Sequence, residues 1–343
     1  MGGDEQAAHG VSAPRRGHTR RAFVAAGAAG AATHVAGASL LTGTALAASP
    51  RKCAPTGPGV PTNAIAVTPE GRTLWTADAA GTTITAHNRR DLVRGHAIDV
   101  GGAPAGIAIS RDGRTAMVTT AFYDRPGLTV VDLRSHQVNR LDVGAEPYAV
   151  AFTPDGHSAY VTGSGSHGTL TRVDRRSGHV HPAIAIGRHP RGLAITPDGA
   201  HALVALNGDS AVAVVALATG RITRRVATAP FPYLLAVSPN GLRGFVTHNG
   251  YRSRAGTLLN LHTWRAHEGV RTGLDPSGVA FDGSGRLVMV ADTGSGTVTL
   301  LDAHSGRRRR RLAPGGAPRA VAVAGGRGYV ADAHSGRLTA VRL

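Results

Sequence analysis

Beyond residue 61 the chain is a succession of short runs in which apolar and small residues alternate. The first kind of run reads "GIAIS" (106–110), "AVAFT" (149–153), "GLAIT" (192–196), "LLAVS" (234–238), "GVAFD" (278–282) and "AVAVA" (320–324). Alternation of period two puts successive side chains on opposite faces and predicts β-strands. A turn follows most of these runs: "RDG", "PDG", "PDG", "PNG" and "GSG". Asp-Gly or Asn-Gly between two alternating runs is the strongest short hairpin signal. Second runs follow, such as "AMVTT", "AYVTG", "ALVAL" and "GFVTH". A Gly- and Ser-rich loop leads to a third run, and a turn such as "RRSG", "LATG" or "AHSG" leads to a fourth, more polar one. No segment beyond residue 47 carries helical periodicity.

The unit repeats. Aligned on the proline before each first run, the copies start at Pro61, Pro104, Pro147, Pro190, Pro232, Pro276 and Pro318, in steps of 43, 43, 43, 42, 44 and 42 residues. Four antiparallel strands per copy and seven copies predict an all-β fold, a seven-bladed β-propeller over residues 59–343. The first strand of each blade lines the axis, where space is tightest. The position two after the prolines is accordingly small in most copies: Gly106, Ala149, Gly192, Gly278 and Ala320, with Leu234 in blade 5. The last copy ends after three strands. Residues 48–58, containing "CAPTGP", are expected to supply its outer strand, close the ring and remove an open edge.

The repeat "P-x-x-(A/I/L)-A-(I/V/F)-(S/T)-P-D-G…A-Y-V-T-G…V-D-x-x-(S/T)-G" resembles the YVTN family of β-propeller repeats, with "AYVTG" at 159–163 the nearest copy. The resemblance covers essentially the whole chain beyond residue 47 and implies the propeller fold. It implies no single function, since similar propellers include surface-layer and periplasmic binding proteins, a nucleic-acid-binding branch, lactonases and streptogramin-type lyases.

The first 47 residues have a different character. "TRRAFV" (19–24), an Ala- and Gly-rich stretch and "ALA" (45–47) predict a cleavable twin-arginine export signal. The protein is thus expected outside the cell or in the envelope, as a monomer, with no transmembrane span once the signal is removed. Cys53 is the only cysteine, so no internal disulfide forms. The formal net charge is +17, and removal of residues 1–47, with four arginines and two acids, leaves +15. Lys52 is the only lysine. A surplus of this size attracts polyanions at low salt.

Three sets of residues are candidates for chemistry. The first directly follows the anchor prolines: Tyr148, Arg191, Tyr233 and Arg319, with Thr62, Ala105 and Ser277 completing the ring. Two tyrosines and two arginines at one channel mouth either hold an anionic or planar ligand or simply plug the mouth. The second ends the second strands: Asp78, His248, Asp292 and Asp332, in consecutive blades of a closed ring. These either cap nearby backbone amides or hold a divalent cation, the one cofactor the chain would then take. The third is the run Arg307, Arg308, Arg309, Arg310 and Arg311, with Arg224 and Arg225 at a similar place in blade 4. It is either a solvated edge or a rim for an anionic polymer or nucleic acid. Aromatic residues make up 4% of the chain, which disfavours stacking on single-stranded bases.

No G-x-S-x-G or H-E-x-x-H motif occurs, and beyond residue 47 the only glutamates are Glu70, Glu146 and Glu268. The leading expectation is an exported, non-enzymatic binding or scaffold propeller that requires no cofactor. The alternative is a metal-assisted lactonase or lyase built on the carboxylates of blades 6, 7 and 1.

Overall fold

The computed structural model describes residues 62–122 and 126–343. They form seven antiparallel sheets in chain order, each sheet hydrogen-bonded from first strand to last. Blade 1 is β1 Thr62–Val67, β2 Thr73–Asp78, β3 Thr83–Asn88 and β4 Arg94–Asp99; blade 2 is β5 Ala103–Ile109, β6 Thr115–Phe122, β7 Gly127–Asp132 and β8 Val138–Leu141. Blade 3 is β9 Pro147–Phe152, β10 Ser158–Gly163, β11 Gly168–Asp174 and β12 Ile184–Gly187; blade 4 is β13 Pro190–Ile195, β14 His201–Leu206, β15 Ala211–Ala216 and β16 Arg221–Ala227. Blade 5 is β17 Pro232–Val237, β18 Arg243–His248, β19 Ala255–Asn260 and β20 Arg265–Arg271; blade 6 is β21 Pro276–Phe281, β22 Leu287–Asp292, β23 Thr297–Asp302 and β24 Arg308–Leu312. Blade 7 is β25 Pro318–Ala324, β26 Arg327–Asp332 and β27 Leu338–Arg342. The chain is therefore the seven-bladed all-β propeller that the repeat predicts. Residues 1–47, with the expected export signal, and 48–58, with the expected closing strand, lie outside the described residues.

Each inner strand lies against those of its two neighbours, and β25 lies against β1. Alternation lets both faces of a blade bury apolar side chains, so the core is a set of layers between blades. Ile65, Val67 and Leu74 of blade 1 pack with Ala320, Ala322 and Tyr329 of blade 7, which joins the two ends of the described chain. Outside that layer, Arg89 of blade 1 donates to the Tyr329 hydroxyl at 2.9 Å.

The anchor prolines explain a recurring irregularity. Proline has no N–H, and just after it the pairing of first and second strands shifts register: Pro104/Gly106, Pro232/Leu235 and Pro276/Val279. The threonine of the second strand fills the gap. Thr119 Oγ1 accepts from Gly106 N at 2.9 Å and donates to Tyr148 O, in the next blade, at 2.7 Å. Thr247 does the same between Leu234 N at 3.2 Å and Ser277 O at 2.9 Å. Where the threonine is absent, another side chain takes the inter-blade part: Asn207 donates to Pro232 O at 3.0 Å and Thr293 to Pro318 O at 2.7 Å.

The Asp-Gly turns are longer than two-residue hairpins. Between β9 and β10, Thr153 N donates to Ser158 O at 2.9 Å and His157 N to Asp155 Oδ1 at 2.9 Å. Gly156 takes the left-handed φ of +71° that glycine adopts without a Cβ clash. These turns define one face of the ring. The anchor prolines and the loops between second and third strands define the other, since Pro232 pairs with His248 and Pro276 with Asp292.

Thr247 gives a direct test of the inter-blade clasp. Thr247→Val keeps the shape but leaves a buried amide and a buried carbonyl with one partner fewer. Chemical denaturation should show a loss of about 2–4 kcal/mol. Thr263→Val, at an exposed turn, should change stability by less than about 0.5 kcal/mol.

Candidate functional site

The residues after the anchor prolines converge at the channel mouth as expected. The Tyr148 and Tyr233 hydroxyls are 2.8 Å apart, joined by a hydrogen bond in front of blade 4. Their rings meet edge to face at 6.4 Å. The Arg191 guanidinium lies over the Tyr148 ring, 4.5 Å from its centre, within cation–π range. Arg319 reaches the pair from blade 7, close enough for its charge to act on the Tyr148 phenol. Burial, reinforced by the neighbouring Tyr233, pushes the Tyr148 phenol well above its ordinary range, so it stays neutral and able to donate.

Both tyrosines are buried and both arginines half-buried. The tyrosines thus form a floor across the mouth, while the arginines retain access to solvent. Two amides that sequence reasoning did not single out lie on the same face: Asn207 Nδ2 donates to Asn249 Oδ1 at 3.1 Å. Both precede a glycine in the loop after the second strand, "LNG" and "HNG", which is the signal that could have marked them.

The second-strand set is not gathered into one site. Among the described residues no three His, Cys, Asp or Glu side chains come together as a metal-binding group. Asp78, His248, Asp292 and Asp332 are each tied into their own blade. Asp78 accepts from Thr83 at 2.6 Å, Thr85 at 2.7 Å and Thr76 at 3.1 Å. Asp292 accepts from Thr299 at 2.6 Å and Thr297 at 3.0 Å, and burial holds its carboxyl above the usual range. His248 has Nδ1 3.0 Å from Pro230 O and Nε2 2.8 Å from the Thr257 hydroxyl. A carbonyl can only accept, so Nδ1 carries the hydrogen and Nε2 accepts. Asp332 caps the β26–β27 turn through His334 N at 3.0 Å and Ser335 N at 2.7 Å. The correction has a simple cause. Sequence places these residues at one level of adjacent blades, but a second strand stands away from the axis, so its end meets its own third strand instead of the next blade's carboxylate.

The arginine run lies where the repeat puts it, with Arg308–Arg311 in β24, the outer strand of blade 6, and Arg307 just before it. All five are exposed. Among them Arg309 is ion-paired, to Asp302 at 2.7 Å, and Arg311 donates to Thr272 O at 3.3 Å. In blade 4, Arg225 lies 3.7 Å from Asp209 and Arg224 is exposed.

No family model matches the chain, and no curated protein matches it. Solved structures do. The chain is similar to a structure titled Kuenenia stuttgartiensis hydrazine synthase, with TM-score 0.75 and 21% identity over 84% of this chain and 97% of that one. It is also similar to the β-propeller domain of Myceliophteria thermophila Cps50 (Swd1), with TM-score 0.70 and 13% identity over 84% of this chain and 98% of that one. At these identities the likeness is one of fold.

A buried histidine of blade 1, away from the tyrosine pair, makes stability depend on pH. His87 on β3 is 7% exposed, with Nε2 3.2 Å from the Thr76 hydroxyl. Burial, helped by the charge of Arg94, lowers its pKa to about 4. Between an unfolded value near 6.5 and the folded value near 4, the unfolded chain binds the extra proton, so stability falls as pH falls through this window. The loss should approach about 3 kcal/mol. His87→Asn should flatten the melting temperature against pH in that interval. A wild-type-shaped profile in the variant would refute the assignment.

Proposed function

We propose that the protein is an exported binding propeller of the YVTN kind, whose loop face holds a small anionic ligand between Arg191 and Arg319 above the tyrosine pair. The observation that carries this reading is the stacked, half-buried Arg191. It makes no ion pair among the described residues, and packing on Tyr148 fixes its planar donor fork. The Tyr148 phenol stays neutral, so the floor beneath the two arginines adds no charge to oppose an anion. The site offers recognition, and nothing about it calls for catalysis. The YVTN-like repeat supports the family reading, and "TRRAFV" with "ALA" supports export. No helix among the described residues is long and apolar enough to cross a membrane.

The exposed arginines of β24 favour a second binding surface. Arg307, Arg308 and Arg310 carry charge on an outer strand with no carboxylate paired to them among the described residues. Such a rim suits a polyanion, held mainly by release of the polymer's counterions.

Calorimetric titration with inorganic phosphate and with citrate tests the mouth. Arg191→Gln and Arg319→Gln should each weaken binding about tenfold, the range of a hydrogen bond to a charged group. Wild-type affinity in both variants, or no binding of either anion to the wild type, would overturn the site. For export, Arg20→Lys with Arg21→Lys should leave uncleaved precursor in the cell, and undiminished secretion would refute the twin-arginine route.

A further inference from the structure

The seam between blades 5 and 6, on the face of the Asp-Gly turns, carries two clefts that share a wall. One, of about 460 Å³, is lined by Arg243, Arg265, His267 and His304 and has no carboxylate in its lining. The other, also about 460 Å³, adds Arg286 and Arg309 to the same Arg243 and His304. Its two acids are already engaged. Asp282 accepts from Arg286 N and Leu287 N, both at 2.8 Å, and Asp302 accepts from Ser305 N at 2.8 Å and from Arg309 at 2.7 Å.

The shared wall is a contact between blades. Arg243 Nη2 lies 3.0 Å from His304 Nδ1. A guanidinium can only donate, so Nδ1 accepts and the ring hydrogen sits on Nε2. The exposed His304 therefore presents a donor beside a guanidinium, and the two clefts meet there to make one groove with cationic groups at both ends.

We propose that this groove binds a single-chain polyphosphodiester without bases, of the poly(glycerol phosphate) kind. The inference extends the reading of the β24 arginines as a polyanion rim. Planar guanidinium forks match phosphate oxygens in a bidentate way. Two joined clefts with cations along their length fit a chain better than a single phosphate. Neither lining contains Phe, Trp or Tyr, so the groove offers no platform for stacking bases. A flexible single chain can follow the surface from one cleft into the other, whereas a stiff duplex cannot bend to do so. A duplex can meet only the open rim of β24.

Fluorescence anisotropy with labelled poly(glycerol phosphate) tests the proposal, with polyglutamate of equal charge and duplex DNA as the other arms. Wild type should bind poly(glycerol phosphate) more tightly than polyglutamate. Arg243→Gln with Arg265→Gln should weaken poly(glycerol phosphate) about tenfold and lower the slope of log affinity against log salt by about 1.4, the value for two lost phosphate contacts, leaving duplex DNA unchanged. Arg308→Gln with Arg310→Gln, which spares the Arg309–Asp302 pair, should weaken duplex DNA as well. Polyglutamate binding as tightly as poly(glycerol phosphate), or a groove variant with wild-type affinity, would overturn the groove while leaving the rim intact. Unchanged DNA binding by the β24 variant would overturn the rim alone. Should the double groove variant melt early, Arg265→Gln by itself, on an exposed outer strand, carries the same test.

Discussion

Seven sheets must share one axis, and the rest of the structure follows from how little room that leaves. A Cβ on Gly278 would stand 2.5 Å from Arg319 O in the next inner strand, and one on Gly192 would stand 2.8 Å from the Leu234 Cα. At these two positions no side chain fits, so the inner strands there meet as backbones, and Gly192 makes room for Leu234 at the equivalent place of the next blade. Backbone at the axis brings its own polar groups into a region without water, and each needs a partner. The Pro-Thr arrangement answers that need. Proline removes one donor where the strand starts, and the threonine of the second strand accepts from the amide beyond it and donates to the next blade. Tight approach and inter-blade hydrogen bonding are two sides of one constraint.

The same constraint sorts polar residues into structural and available ones. Asp78 and Asp292 sit at the ends of second strands, buried among threonine hydroxyls, and they bond to their own blade. The position after the anchor proline behaves differently. Its backbone takes part in the clasp, as Tyr148 O accepting from Thr119 shows, while its side chain is left to face the mouth. This is why Tyr148, Arg191, Tyr233 and Arg319 meet although 171 residues separate the first from the last.

Legibility from sequence follows the same division. The fold was readable because each blade repeats one solution to the axis problem, so period, anchor proline and turn recur. The mouth residues were readable because they hold a fixed place in that period. The metal hypothesis used equally sound register but ignored radius: equal places in adjacent blades converge only near the axis. The groove at blades 5 and 6 left no mark in the sequence. Arg243 belongs to β18, Arg265 to β20 and His304 to a turn of the next blade, and only packing brings them together.

The positive surface is in part a product of the turns. Many of the acids available to balance arginine are used to hold loops. Asp155 accepts from Thr153 Oγ1 and His157 N, Asp198 from Thr196 Oγ1 and Ala200 N, and Asp132 from Arg134 N and Ser135 N. Each turn's hydrogen bonds hold its carboxyl below the usual range. These acids serve backbone amides at fixed places in the repeat, while Arg224 and Arg308 on the outer strands have no carboxylate paired to them among the described residues. An edge strand rich in arginine resists pairing with another sheet and attracts polyanions by the same property. On the proposed rim reading, binding and solubility place the same demand on β24, and a substitution there that weakens one should weaken the other.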